Sequence, residues 1–175
     1  TKNVFNWNPT FDFRYMFTEH TEMRFRVNGS TSQPSMTNLL PITDNSNPLY
    51  ITQGNPDLKP SFSFNTQLNF HTFNVDKESS FMTNLRFSRT NNSISNRVEY
   101  NEENGGSTTR PENINGNWNT SAMVGGNFAL PDRRYTFNLF TNINYSNQVG
   151  YLYQNQQTLK ATTKTIRPNQ NIQRS

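Results

Sequence analysis

Residues 4–17, VFNWNPTFDFRYMF, set Phe5, Trp7, Pro9, Phe11, Phe13, Tyr15 and Phe17 on one parity and Asn6, Asn8, Thr10, Asp12, Arg14 and Met16 on the other. Successive side chains of a strand point to opposite faces, so one face of this segment is nearly all aromatic rings and the other is polar. Two environments suit such a strand. A soluble sandwich buries the aromatic face against a second sheet. A transmembrane barrel turns it outward to lipid and aims the polar face at a wet lumen.

The same alternation recurs along the chain. Met23, Phe25 and Val27 alternate with Arg24, Arg26 and Asn28, after the short polar link Thr18-Glu19-His20-Thr21. Phe62, Phe64, Leu68 and Phe70 alternate with Ser63, Asn65, Gln67 and Asn69, and the parity slips near Phe73, as at a bulge or a strand end. After the link at 75–79, Phe81, Thr83, Leu85 and Phe87 alternate with Met82, Asn84, Arg86 and Ser88; a weaker pattern continues through Ile94, Val98 and Tyr100. Trp118, Thr120, Ala122, Val124, Gly126, Phe128 and Leu130 form a fifth run. Tyr135, Phe137, Leu139, Thr141, Ile143 and Tyr145 form a sixth after the link at 131–134. Residues 150–175, rich in Gln, Asn and Thr, are expected to hold a third loop and the start of a seventh strand. The fold class expected is all-β: an antiparallel meander of about six or seven strands forming part of a transmembrane β-barrel.

The connections separate the two environments. Residues 29–60 contain Pro34, Pro41, Pro48, Pro56 and Pro60, which cannot sit in a central strand, and residues 101–117 read as a second long polar loop around Gly105-Gly106. Links therefore alternate at about 4, 30, 5, 16 and 4 residues. Outer-membrane barrels have tight turns on the periplasmic side and long loops outside, whereas a sandwich has no reason to collect its short turns at one end. Tyr15, Phe17, Phe73, Phe81, Phe128, Tyr135 and Phe137 crowd beside the short links, where an interfacial girdle belongs. The stretch from Trp7 to Phe17, at ~3.4 Å per residue and ~45° tilt, covers about 25 Å, the height of a barrel's apolar band. The membrane reading is preferred; a soluble β-sandwich adhesin or carbohydrate-binding module is the alternative.

Composition narrows the chemistry. Only 31% of the 175 residues are hydrophobic, yet 13% are aromatic, with 14 Phe and 7 Tyr; the apolar content sits in large rings, as strands with one apolar face require. The excess of 16 Lys and Arg over 12 Asp and Glu is spread out and forms no basic block, so nucleic acid is not expected as a partner. Cysteine is absent, which excludes disulfides and thiolate metal sites. No apolar run approaches the roughly 18 residues of a transmembrane helix. The chain opens without an initiator Met or a signal peptide and ends abruptly at Arg174-Ser175, so a piece of a longer mature protein is expected. His20 and His71 have no partners at metal-ligand spacing, and no G-x-S-x-G, Walker A or paired-carboxylate pattern is present. No catalytic residue, metal or cofactor is expected.

The segment Gly54, Asn55, Pro56, Asp57, Leu58, Lys59 and Pro60, GNPDLKP immediately before an alternating strand, resembles a motif in the barrels of TonB-dependent outer-membrane receptors. Upstream, residues 30–35, STSQPS, are similar to an S-x-x-R-P-S stretch of that family, with Gln33 where Arg is common, and the spacing of residues 48–53 before the motif is similar too. The resemblance implies an energised importer in the outer membrane of a Gram-negative bacterium, a 22-stranded plugged barrel that takes up a small nutrient such as a siderophore, a cobalamin, a glycan or a peptide. It implies TonB as a partner through a plug that these residues do not include. The chain, residues 1–175, is then one partial barrel domain, about a third of the wall.

Within this reading the motif is a structural lead-in to the next strand, with Leu58 docking the loop on the barrel rim. Phe5, Trp7, Phe11, Phe13, Tyr15, Phe17, Leu85, Phe87, Phe137 and Leu139 are expected to face outer-membrane lipid. Asp12, Arg14, Arg24, Arg26 and Arg86 are expected on the lumenal face, and Tyr50 and Tyr100 in the long loops are the candidate ligand contacts.

Overall fold

The structure, a computed structural model, describes residues 6–129, 135–154 and 157–174. In chain order the elements are β1 (Thr10–Thr18), β2 (Thr21–Ser32), α1 (Met36–Leu39), β3 (Thr43–Asp44), β4 (Tyr50–Gln53) and β5 (Ser61–Asn74). They continue with β6 (Ser79–Asn91), β7 (Ser93–Asn101), β8 (Gly106–Ile114), β9 (Asn117–Ala129), β10 (Thr136–Gln154) and β11 (Gln157–Arg174). Seven of the strands form one sheet in the order β1-β2-β5-β6-β9-β10-β11, antiparallel throughout. The other four form a second sheet, β3-β4-β8-β7, inserted at the two long connections.

Register carries the alternation across the whole large sheet. Phe13, Phe25, Leu68, Leu85, Ala122, Ile143 and Pro168 are successive cross-strand partners, one per strand. One residue away, on the opposite face, the row runs Arg14, Arg24, Asn69, Asn84, Met123, Asn142 and Asn169. A slip of one residue in any strand would reverse its faces, so the hydrophobic pattern and the short hairpins fix the register together.

The apolar face is not folded onto a second sheet. Among the described residues the buried apolar side chains are Leu58 and Ile114, 6% and 1% exposed, both outside the large sheet, while Phe11 on β1 is 55% exposed. The rings do not converge on an enclosed core, which is the arrangement a sandwich requires.

Several local expectations are corrected. The first ladder begins at Thr10, because Pro9 has no N–H to donate. Residues 7–9 still follow β2: Gly29 N–H donates to the Pro9 carbonyl (2.8 Å) and Thr31 N–H to Asn8 Oδ1 (3.0 Å). The parity slip at Phe73 is a strand end without a bulge; Phe73 pairs with Ser80 and sets its ring against His20 in the neighbouring turn. Residues 101–117 are not a loop, since β7 and β8 form a hairpin with Asn101 opposite Gly106. Alternation does not stop at Gly29, because β2 runs on to Ser32, paired with Ser61. Residues 150–175 hold the end of β10 and nearly all of β11, paired from Gln154–Gln157 to Phe137–Arg174, instead of a loop and a strand start.

The short turns gather at one end. The β1–β2 turn lies beside the β5–β6 turn through the pairs Thr21–Thr72 and Thr72–Phe81, and β9 and β10 meet at that end through Ala129–Thr136. The link at 131–134 lies outside the described residues. At the opposite end Ser32–Ser61 and Thr90–Asn117 mark where the long connections leave the wall, and the small sheet sits there.

Candidate ligand-facing site at the long-loop end

The aromatic face shows two belts. Near the short turns, rings touch in sequence from Tyr15 to Phe17 (4.7 Å between centroids), Phe17 to Phe70 (6.4 Å) and Phe70 to Phe81 (6.3 Å). At the other end Trp7 stacks on Phe62 (5.9 Å), and Phe87, Trp118 and Tyr145 follow at 6.2 and 5.0 Å. Phe11, Phe13, Leu85, Phe137 and Leu139 lie on the same face by register, and Phe5 lies outside the described residues. On the opposite face Arg24 holds both Asp12 oxygens (3.0 and 2.6 Å), Arg26 donates to Asp12 (3.1 Å), and Arg14 pairs with Glu22 (2.6 Å). Arg86 lies on this polar face as well, opposite Gln67 and Ser121.

The GNPDLKP segment is the joint between the two long connections. Pro56 and Asp57 form its turn, and Asn55 Oδ1 accepts from the Asp57 N–H (3.0 Å), an Asx turn of the kind Asn favours. Asn55, only 7% exposed, donates through Nδ2 to the Pro111 carbonyl (2.9 Å), and its Oδ1 accepts from Arg110 Nη2 (3.2 Å). Lys59 N–H donates to Asn113 Oδ1 (2.7 Å), and Asn113 Nδ2 returns bonds to the carbonyls of Lys59 (3.0 Å) and Asn92 (2.9 Å). Upstream, Asn55 N–H donates to the Asn38 carbonyl and Gly54 N–H to that of Ile42, at 2.6 and 3.2 Å. A Cβ on Gly54 would lie 1.8 Å from the Leu40 carbonyl oxygen, so the close backbone approach requires glycine. Leu58 is buried at this joint, and Pro60 delivers the chain to β5.

The small sheet brings Tyr50 and Tyr100 to one face. Both are cross-strand partners of Ser107, Tyr50 from β4 and Tyr100 from β7, and both are exposed. Tyr100 also meets Tyr153 of β10, ring centroids 4.9 Å apart. Between the β7 edge and the β10–β11 tip lies a cleft of about 410 Å³ that includes Arg97, Glu99, Tyr100, Tyr153, Gln157 and Thr158. A smaller cleft of about 120 Å³ shares Arg97 and Glu99 and adds Gln53, Thr108, Arg110 and Glu112. Arg97 pairs with Glu99 (2.7 Å) and Glu112 (3.5 Å), and Tyr151 donates its hydroxyl to Glu112 (3.0 Å). A third cleft of about 470 Å³ lies by α1 and includes Asp44, whose carboxyl is held below the usual range by hydrogen bonds from the Ser46 hydroxyl and N–H. Among the described residues no group of three or more His, Cys, Asp or Glu side chains is placed to hold a metal.

The model of the outer membrane protein beta-barrel family matches residues 1–174. The chain belongs to this family. It is a protein of the outer membrane of Gram-negative bacteria, and its large sheet is barrel wall. No curated protein and no solved structure matches it.

In this outer-membrane barrel protein the sequence reading placed Tyr50 and Tyr100 in loops, but missed that the small sheet aligns them, that Arg97 and Glu99 line a cleft with Tyr100 and Tyr153, and that the same pair lines a second with Arg110 and Glu112. One signal was present. Asn104-Gly105-Gly106 is a hairpin turn sequence, and Gly105 takes a positive φ of 68° there. The weak Ile94, Val98 and Tyr100 alternation was read as a continuation of β6, but it belongs to β7, a separate strand of the small sheet, and β8, largely polar on both faces, gave no such signal.

Proposed function

We propose that this barrel is part of a TonB-dependent receptor that imports a small scarce nutrient, such as a siderophore, a cobalamin, a glycan or a peptide. The observation that carries the reading is the GNPDLKP joint: a segment resembling the receptor motif ties the two long connections to each other just before β5, and its Gly54 lines a recessed surface of about 470 Å³. The two aromatic belts support lipid contact for the face that carries Trp7, Phe11, Phe13, Tyr15 and Phe17. Phe62 and Phe70, one in each belt, are separated by about 27 Å of strand at ~3.4 Å per residue, or about 19 Å along the membrane normal at ~45° tilt, which fits inside an apolar band of ~25 Å. Lumenal Asp12, Arg14, Glu22, Arg24 and Arg26 then form a paired charge network in water.

On this reading the protein binds and transports without catalysis, and its partners are lipid, the nutrient and the TonB complex. The test compares strains lacking the receptor, TonB or both during growth on limiting iron, cobalamin, glycan or peptide. The reading expects the same nutrient defect in both single strains and no further loss in the double. Receptor and TonB defects that add would overturn it.

A further inference from the structure

We infer that the cleft between the β7–β8 hairpin and the β10–β11 tip is the recognition site and that it takes a neutral, polyhydroxylated ligand, an oligosaccharide. This names the ligand class of the transport reading, on which it rests for import after binding. The two clefts that share Arg97 and Glu99 make one surface, and the larger part alone falls within the ~300–1,000 Å³ usual for small-molecule sites.

Charge argues first. Arg97 and Arg110 against Glu99 and Glu112 sum to a formal zero, and Glu102 beside Tyr153 adds one negative charge, so the site holds no excess attraction for an anion. An anion approaching Arg97 would also meet the two carboxylates already paired with it. A sugar hydroxyl both donates and accepts. The cleft presents donor-only arginines, acceptor-only carboxylates, Gln157, which does both, and the Thr158 hydroxyl, which can accept while it donates to the Val98 carbonyl.

Two further features fit the same ligand. Tyr100 and Tyr153, inclined at 54°, give the cleft aromatic surface against which the C–H face of a pyranose can pack. The frame is already fixed: Arg110 is tied to Asn55, Arg97 to Glu99 and Glu112, and Glu112 to Tyr151. Such preorganisation reduces the ordering cost of binding.

The experiment is calorimetric titration of the purified full-length receptor in detergent with maltohexaose, cellohexaose, xylohexaose and laminarihexaose. Hexagalacturonate is the charged comparison, and each titration is run at low and high salt. At least one neutral oligomer is expected to bind with an affinity that salt leaves unchanged. Tyr100→Ala and Arg97→Met should each weaken it about tenfold or more, while Tyr100→Phe, which keeps the ring, retains binding. Heat-modifiable gel mobility reports that each variant is still a folded barrel. Silence from all four neutral oligomers overturns the inference, as does binding of hexagalacturonate alone with strong salt dependence, or a folded Tyr100→Ala receptor that binds like the parent. The TonB strain comparison reads import and not recognition, so a failure here leaves that result untouched, and the reverse also holds.

Discussion

The side-chain amide of Asn55 donates to the carbonyl of Pro111 over 2.9 Å and joins positions 56 residues apart in the chain. The same side chain accepts from Arg110 and from the Asp57 N–H. Replacing it with Ala leaves a buried carbonyl and an N–H without partners, at a cost of about 1–3 kcal/mol. The loss should be local. In Asn55→Ala, amide exchange is expected to accelerate in β8 and in residues 54–60 while the β1–β2 hairpin keeps its protection. Unchanged exchange in β8 would mean that Asn55 is not the joint.

Lipid exposure is tested by neighbours on opposite faces. Phe11 pairs with Val27 on the apolar face, and Thr10 pairs with Asn28 on the polar one. Arg at position 11 should cost about 2–4 kcal/mol if that site lies near the bilayer midplane, and Arg at position 10 much less because water solvates it. A spin label at 11 should be relaxed by a lipid-borne probe and one at 10 should not, with the same contrast at Leu85 against Asn84. A label at 11 blind to lipid in the reconstituted full-length barrel would reverse the assignment of faces.

Orientation follows from the turns. A cysteine at Asn104, in the β7–β8 turn, should react with an impermeant thiol reagent on intact cells. One at Lys77, in the β5–β6 turn, should stay protected until the outer membrane is opened. The opposite labelling inverts the topology.

Gly125 carries a packing prediction. It sits opposite Phe140 across the β9–β10 ladder, and a Cβ there would lie 2.4 Å from Phe140 Cδ1. Gly125→Val should therefore push the ring aside and cost about 1–3 kcal/mol through overpacking. Phe140→Ala in the same chain should recover part of that loss. A chemical-denaturation cycle over the four proteins measures the coupling; additive losses would show that the ring and the glycine do not interact.

The parts of the fold that were legible in the sequence are those where a single apolar face writes a period of two into the chain. Phe13, Leu68, Leu85 and Ile143 announce both the strand and its face, and the two- to four-residue turns leave little choice of neighbour. At the long-loop end that pattern weakens. β7 reads Ser-Ile-Ser-Asn-Arg-Val-Glu-Tyr-Asn; Asn96 interrupts its Ile94, Val98 and Tyr100 parity, and the strand is held by backbone pairing and ion pairs as well. In the upper reach of β10 Val149, Tyr151 and Tyr153 still share one parity, but the facing part of β11 is mostly Gln, Thr and Lys, so the stretch read as loop. The GNPDLKP segment was legible as a lead-in to β5, but its role as a joint between the long connections, and its partners there, were not. Asn113 and Pro111 lie more than fifty positions away, and nothing local marks them as acceptors or donors for it.

The large sheet ends in β1 on one side and β11 on the other, and among the described residues each pairs along one edge only. The unpaired edge of β11 extends over 18 residues. In hydrocarbon every backbone group left unmatched costs several kcal/mol, so an open arc of wall is not a resting state there. Stability in the membrane is therefore a property of the closed ring. A substitution that loosens β11 against its outer neighbour should act on the whole circumference at once, and these strands should insert and resist unfolding as one cooperative unit with the rest of the wall.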